Sequence, residues 1–152
     1  MVHADFGQVD VHMLQYSGAI WYPMVYDMPA RAKQAFGTQK RQRQMDRCRQ
    51  YIAQVGATWV VPSAGPPCFL DEELWHLNDI HGDEGNIFPD QQVFLDEYAK
   101  IGKDNAVVLL PGTEVELTPE SCAVRQPVED VRAFFAGKEE HLHEYARRSS
   151  RG

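Results

Sequence analysis

The chain has 152 residues and a net charge of -7, a length that supports one domain with a sizeable core. Hydrophobic residues make up 43% and charged residues 24%, which excludes a disordered or fibrous chain. The acidic balance argues against nucleic-acid binding as the main task, and no apolar run reaches the ~20 residues of a membrane span. The N-terminus lacks a charged segment followed by an apolar one, so no secretory signal is read. Cys48, Cys68 and Cys122 are far apart, with no C-x-x-C or C-x-H. That sparse, odd set fits a reducing, cytoplasmic setting.

In chain order, Val9 to Tyr16 reads as a strand. Val9, Val11 and Met13 alternate with polar neighbours and predict one buried face. Ser17-Gly18-Ala19 ends it, and an aromatic loop with Trp21, Tyr22 and Tyr26 runs to Pro29. Ala30 to Val55 reads as a long helix, open to disturbance at Gly37, with Met45, Cys48, Ile52 and Val55 as its core stripe. Gly56 is a fitting stop, and Thr58-Trp59-Val60-Val61 follows as a short buried strand. Strand, long helix, strand predicts a βαβ unit with a parallel pair.

Pro62 to Pro67 reads as a rigid turn. Asp71 is placed to cap a short helix through Leu77, residues 78–89 read as irregular, and Asp90 caps a helix near Gln91 to Ile101. Ala106 to Leu110 reads as a third strand and Val115 to Leu117 as a fourth. Residues 1–126 are taken as the main unit and 127–152 as a helical tail, weak at Gly137 and frayed from Arg147.

Charge is unevenly placed. Residues 31–50 carry seven basic side chains and one acid, whereas 71–97 carry nine acids and no lysine or arginine. Either the two segments attract each other, or the basic helix offers arginines to a phosphate or diphosphate through bidentate forks. A solvated helix face is the plainer reading of the same pattern. Parallel sheets bind ligands beyond the C-terminal ends of their strands, which singles out the loops Ser17 to Pro29 and Pro62 to Asp71. Glu72 and His76, at i and i+4, are a candidate pair of metal ligands, against the simpler reading of a solvated polar face. His12 reads as a hydrogen-bonded structural histidine, and His141 and His143 as chemically idle. P-loop, G-x-G-x-x-G and G-x-S-x-G motifs are absent from the sequence.

Several of these segments, in order, resemble a known family. Met13-Leu14-Gln15-Tyr16-Ser17-Gly18-Ala19-Ile20-Trp21-Tyr22-Pro23 is similar to the strand and Gly-Ala loop in the second half of the metallo-β-lactamase-fold domain of Rieske-type sugar-nucleotide hydroxylases. These act on substrates such as CMP-sialic acid and UDP-N-acetylmuramate; Trp21-Tyr22-Pro23-Met24-Val25-Tyr26-Asp27 makes the muramate branch the nearer match. Gln39-Lys40-Arg41-Gln42-Arg43 resembles the family's basic helix, Val61-Pro62-Ser63-Ala64-Gly65-Pro66 its Pro-x-Ala-Gly turn, His76-Leu77-Asn78-Asp79 its following polar stretch, and Pro111-Gly112-Thr113 its later turn. The resemblance spans about residues 9–120.

It implies an α/β, βαβ-containing half of a metallo-β-lactamase-like sandwich with a C-terminal helix. It further implies the substrate-side part of a monooxygenase that hydroxylates the N-acetyl group of a UDP-linked sugar. On this reading Gly18, Trp21, Tyr22, Arg41, Arg43, Ser63, Gly65 and His76 contact substrate. The family's H-x-H-x-D-H motif and its Rieske C-x-H and C-x-x-H pairs are missing from the sequence. No cofactor is therefore expected in this chain, although the intact family uses a Rieske 2Fe-2S cluster and a metal centre. Whether the chain is an enzyme is left open, and it is expected to be inactive alone. Its expected partners are the missing N-terminal half and Rieske domain, with self-association through the bared surface. Alternatives are half of a metal-dependent hydrolase of the same fold, or a non-catalytic interaction module.

Overall fold

The structure is a computed structural model that describes residues 4–5, 7–18, 20–65, 67–118 and 120–149. Ala19, Pro66 and Ser150 to Gly152, which figure in the sequence reading, lie outside the described residues. The strand Val11–Gln15 (β1) leads through the aromatic loop into a 26-residue helix, Ala30–Val55 (α1). Gly56 adopts φ 60 and donates its N–H to the Ile52 carbonyl, closing α1 in the left-handed stop that glycine permits. Trp59–Ser63 (β2) then pairs in parallel with β1, from Val11 opposite Trp59 to Gln15 opposite Ser63.

The third strand read over 106–110 shrinks to one parallel bridge, Val60 to Ala106, flanked by hydrogen bonds of 2.9 Å from Val60 N–H to Asn105 and 2.8 Å from Val107 N–H to Val60. The 3-10 turn Glu72–Leu77 follows β2, and Gln91–Ala99 (α2) begins at Asp90. Neither Asp71 nor Asp90 caps through its side chain; the Asp90 carboxylate is drawn away by Lys138, 2.9 Å distant. Glu114–Leu117 (β3) pairs not with the main sheet but antiparallel with Cys122–Arg125 (β4), a strand the sequence reading missed. The tail divides at Gly137 into Val131–Ala136 (α3), capped by Asp130, and Lys138–Ser149 (α4). Arg147–Ser149, expected to fray, continue α4.

One core cluster joins Leu14 and Tyr16, Met45, Cys48 and Ile52 of α1, Val60 of β2, and Phe94 and Tyr98 of α2. Both helices therefore cover the same face of the sheet. This reverses the expectation for β1: Leu14 and Tyr16 are buried, whereas Met13 is 61% exposed. His12 lies on the covered side with its Nδ1 buried and unpartnered, contrary to the hydrogen-bonded reading; burial lowers its pKa.

Gly37 does not disturb α1. A Cβ there would lie 2.1 Å from the Gly85 carbonyl oxygen, so glycine lets the helix rest on the backbone of the acidic segment. That segment is irregular yet held by side chains. Asn78 bonds both the N–H and the carbonyl of Phe69, each at 2.8 Å. Asn86 donates to the Leu77 carbonyl at 3.0 Å and accepts from Phe88 N–H at 2.7 Å. A second cluster of Phe69, Leu77, Ile87 and Phe88 forms around these bonds.

Candidate functional site

Beyond the C-terminal end of β1 lies a cleft of about 520 Å³ between the Ser17–Tyr22 loop and one face of α1. Phe36, Lys40, Arg43 and Arg47 line it at helical spacing, with Gln39 and Gln44 between them. A second hollow of about 400 Å³ shares Gln15, Ser17 and Gly18 with it and extends past Ala64 and Gly65 to Trp21, Phe69 and Phe88. The site thus has a basic end on α1 and an aromatic end on the second cluster.

The side chains at the basic end have separate tasks. Lys40 Nζ donates to the Ile20 carbonyl and, at 3.0 Å, to the Tyr22 carbonyl. Lys40 is half-buried, and desolvation lowers its pKa. A Cβ on Gly18 would meet Lys40 Cε at 3.2 Å, so this glycine lets the lysine stem pass. Lys40 is a strut that sets the loop. Arg43 and Arg47 are exposed and make no hydrogen bond or ion pair with a described residue. Two guanidinium groups one turn apart on a cleft wall suit an anion with several oxygens.

At the aromatic end, Trp21 packs edge-on to Phe69 and Phe88, with ring centroids 5.3 and 5.5 Å away. Tyr22 lies against Tyr26 at 5.5 Å and Phe36 at 6.0 Å, and its ring remains 38% exposed beside the arginines. Its peptide bond to the buried Pro23 is cis. Ala64 adopts φ 51 directly after β2, and Gly65 follows it with the Gln91 side chain 3.2 Å from where a Cβ would stand.

The eight residues picked from the sequence therefore separate. Gly18, Trp21, Tyr22, Arg43 and Gly65 line the two joined hollows. Ser63 stands beside them, in register with Gln15. Arg41 is engaged elsewhere, donating to the Asp83 carbonyl at 3.0 Å. His76 is exposed on the turn Glu72–Leu77, outside both hollows. Lys40 and Arg47 were missed, although their i, i+3 and i+4 spacing around Arg43 placed all three on one face. The basic helix and acidic segment do meet, through Arg41, the Gly37–Gly85 contact and the Arg49–Glu97 pair at 3.3 Å.

Among the described residues no three His, Cys, Asp or Glu side chains stand together to hold a metal ion, Glu72 and His76 included. Cys48 is buried with its Sγ 3.6 Å from the Gln15 carbonyl oxygen, Cys68 is exposed, and Cys122 is half-buried. These donors do not fit an iron–sulfur cluster, which needs four ligands gathered at one point. Among the described residues no helix is long and apolar enough to cross a membrane.

The site is thus an anion-suited cleft beyond the C-terminal end of a parallel strand pair, with no group of metal donors among the described residues. The chain is 64% identical over 150 residues to a protein of Mycolicibacterium smegmatis named "Putative Rieske 2Fe-2S iron-sulfur protein", covering 97% of this chain and 29% of that one. It is 62% identical over 149 residues to similarly named proteins of two Mycobacterium tuberculosis strains, again over 29% of their length. No family model and no solved structure matches the chain. The metallo-β-lactamase assignment is thereby corrected: these relatives are named for a Rieske centre, and none carries a metallo-β-lactamase name. Several of the motifs behind that resemblance are short Gly, Pro and Ala turns after strands, which answer to local turn geometry and recur wherever a strand must end sharply.

Proposed function

We propose that this chain is the substrate-side part of a larger Rieske-type monooxygenase and binds a sugar nucleotide of the UDP-N-acetylmuramate kind, whose N-acetyl group the assembled enzyme hydroxylates. The observation that carries the reading is the pair Arg43 and Arg47, exposed on the cleft wall and without hydrogen-bond or ion-pair partners among the described residues. In this reading they take the diphosphate, Lys40 holds the loop that shapes the cleft, and the exposed ring of Tyr22 offers a stacking face to the uracil or the sugar. The cluster and the oxygen-activating metal come from polypeptide beyond the part matched here, so this chain alone binds without turnover.

Calorimetric titration with UDP-N-acetylmuramate, UDP and uridine tests this. Binding is expected for the first two and not for uridine. Arg43→Ala and Arg47→Ala are each expected to weaken it about tenfold, the effect of losing one charge-assisted contact of ~1.4 kcal/mol. Stability should change by less than about 0.5 kcal/mol, as for other exposed substitutions. Equal affinity for uridine, or full affinity in the double variant, would remove the assignment.

A further inference from the structure

The face of the sheet opposite α1 and α2 carries an independent inference. Partners in a parallel register project to the same side, so Val11 and Met13 of β1 share a face with Trp59 and Val61 of β2. Ala106 is bridged to Val60 and packs on the covered side, which places its neighbour Val107 on the open one. None of these five residues belongs to either core cluster. Met13 is 61% exposed, Val11, Trp59 and Val107 are half-buried, and Val61 is buried, so the accessible part of the face centres on β1. Gln15 and Ser63 complete the face, which carries no charged side chain.

Two features of the sequence treat this surface as interior. Val11 and Met13 are apolar positions of the first strand's alternation, yet they lie on the side away from α1 and α2. Trp59-Val60-Val61 and Ala106 to Leu110 are apolar at consecutive positions, the pattern of parallel strands buried on both faces.

We infer that this face docks a second apolar layer of polypeptide, the one supplied in the longer relatives by the part of their length outside the match. Those relatives retain 62–64% identity over 95–97% of this chain and have more than two thirds of their own length elsewhere. An uncharged, sheet-shaped surface suits a packed protein layer rather than a nucleic acid or a lipid headgroup. The inference does not depend on what the arginine cleft binds.

The test places this chain in the frame of the Mycolicibacterium smegmatis relative, in exchange for the 150 residues it matches. Met13→Cys is then labelled with a maleimide, both in the chain alone and in that longer protein. The native exposed Cys68, read by peptide mass spectrometry, serves as reference. Labelling at position 13 is expected to slow by at least about tenfold in the longer protein, as for a side chain reached only by local opening. Hydrogen exchange over the matching strand of the unaltered relative gives a second reading without substitution: β1 amides that open more slowly there than in the chain alone support the docked layer. Equal labelling, or fast exchange in the relative, would overturn the inference. So would protection already present in the chain alone together with a dimer on size exclusion, which would assign the face to a second copy.

Discussion

The strand-helix unit of β1, α1, β2 and α2 and the C-terminal part of β3, β4, α3 and α4 are held by different means. In the first, side chains from four elements meet in one cluster where Tyr16 and Val60 are fully buried. In the second, every residue of β3 is exposed, α3 has no buried residue, and α4 buries Leu142 alone. A lone hairpin and two short helices are marginal by themselves. They are fastened by the Lys138–Asp90 pair at 2.9 Å, Gln126 Nε2 to the Val108 carbonyl at 2.8 Å, and His143 stacked on Trp75 at 4.3 Å. The first region is stabilised by area, the second by a few specific ties, so the two should fail differently.

The largest effect is expected at the strongest tie. Asp90 and Lys138 expose only 11% and 12% of their side chains. Lys138→Met leaves the carboxylate buried without its cation, at a cost of about 3–5 kcal/mol. Burial raises the Asp90 pKa and Lys138 opposes that rise. A raised acid contributes stability that is full below its unfolded value and declines as pH climbs through the folded one. Removing Lys138 widens that window upward, so the variant's deficit should grow as pH increases and shrink in acid. Urea midpoints from about pH 4 to about pH 7 check the sign; a deficit that grows toward acid contradicts it. The loss should appear as early release of α4, because detachment lets Asp90 hydrate.

Next is Gly37→Ala, which strikes the first region. Its Cβ would stand 2.1 Å from a backbone oxygen that no side-chain rotation can move. Overpacking of this kind costs about 3 kcal/mol, here as a single global transition in chemical denaturation. Leu142→Ala should cost about 2–3 kcal/mol but locally. Hydrogen exchange is the discriminating measurement: faster amides in α4 with α1 unchanged support the contrast, and uniform acceleration contradicts it.

How far each region was legible follows from the same contrast. Ala30–Val55 matches the sequence reading to the residue because it combines a long apolar stripe with a glycine stop; β1 shows in its alternation and β2 in its apolar run. Periodicity is a strong signal where area does the stabilising. It named the wrong face of β1, however, since an alternating strand shows which residues share a side and not which side the helices of this chain will cover. The hairpin was half-missed because Cys122–Arg125 is short and mixed, and its partner is set by a turn rather than by burial. At the site, Arg43 and Tyr22, picked on the family resemblance, both line the cleft. Lys40 was not singled out, because nothing in a sequence distinguishes a lysine that holds two carbonyls from one in solvent. Arg41 was misplaced for the same reason: its neighbour is the Asp83 backbone, 42 positions away.

The smallest expected effect lies where the first region meets the cleft. Ala64 holds φ 51, a left-handed conformation that costs a residue with a Cβ about 1–2 kcal/mol. Glycine removes that cost but gives back about 0.4–1 kcal/mol through the looser unfolded chain. Ala64→Gly is therefore expected to stabilise by about 0.5 kcal/mol, the difference between the two terms, read as a higher urea midpoint. Ala64 lines the aromatic hollow directly beside Gly65. If its strain fixes the rim for a ligand, the more stable variant should bind UDP-N-acetylmuramate more weakly, because the loop now samples other conformations. If stability rises with affinity unchanged, the strain is a by-product of turning the chain sharply after β2, and the anion-binding end on α1 carries recognition without help from this turn.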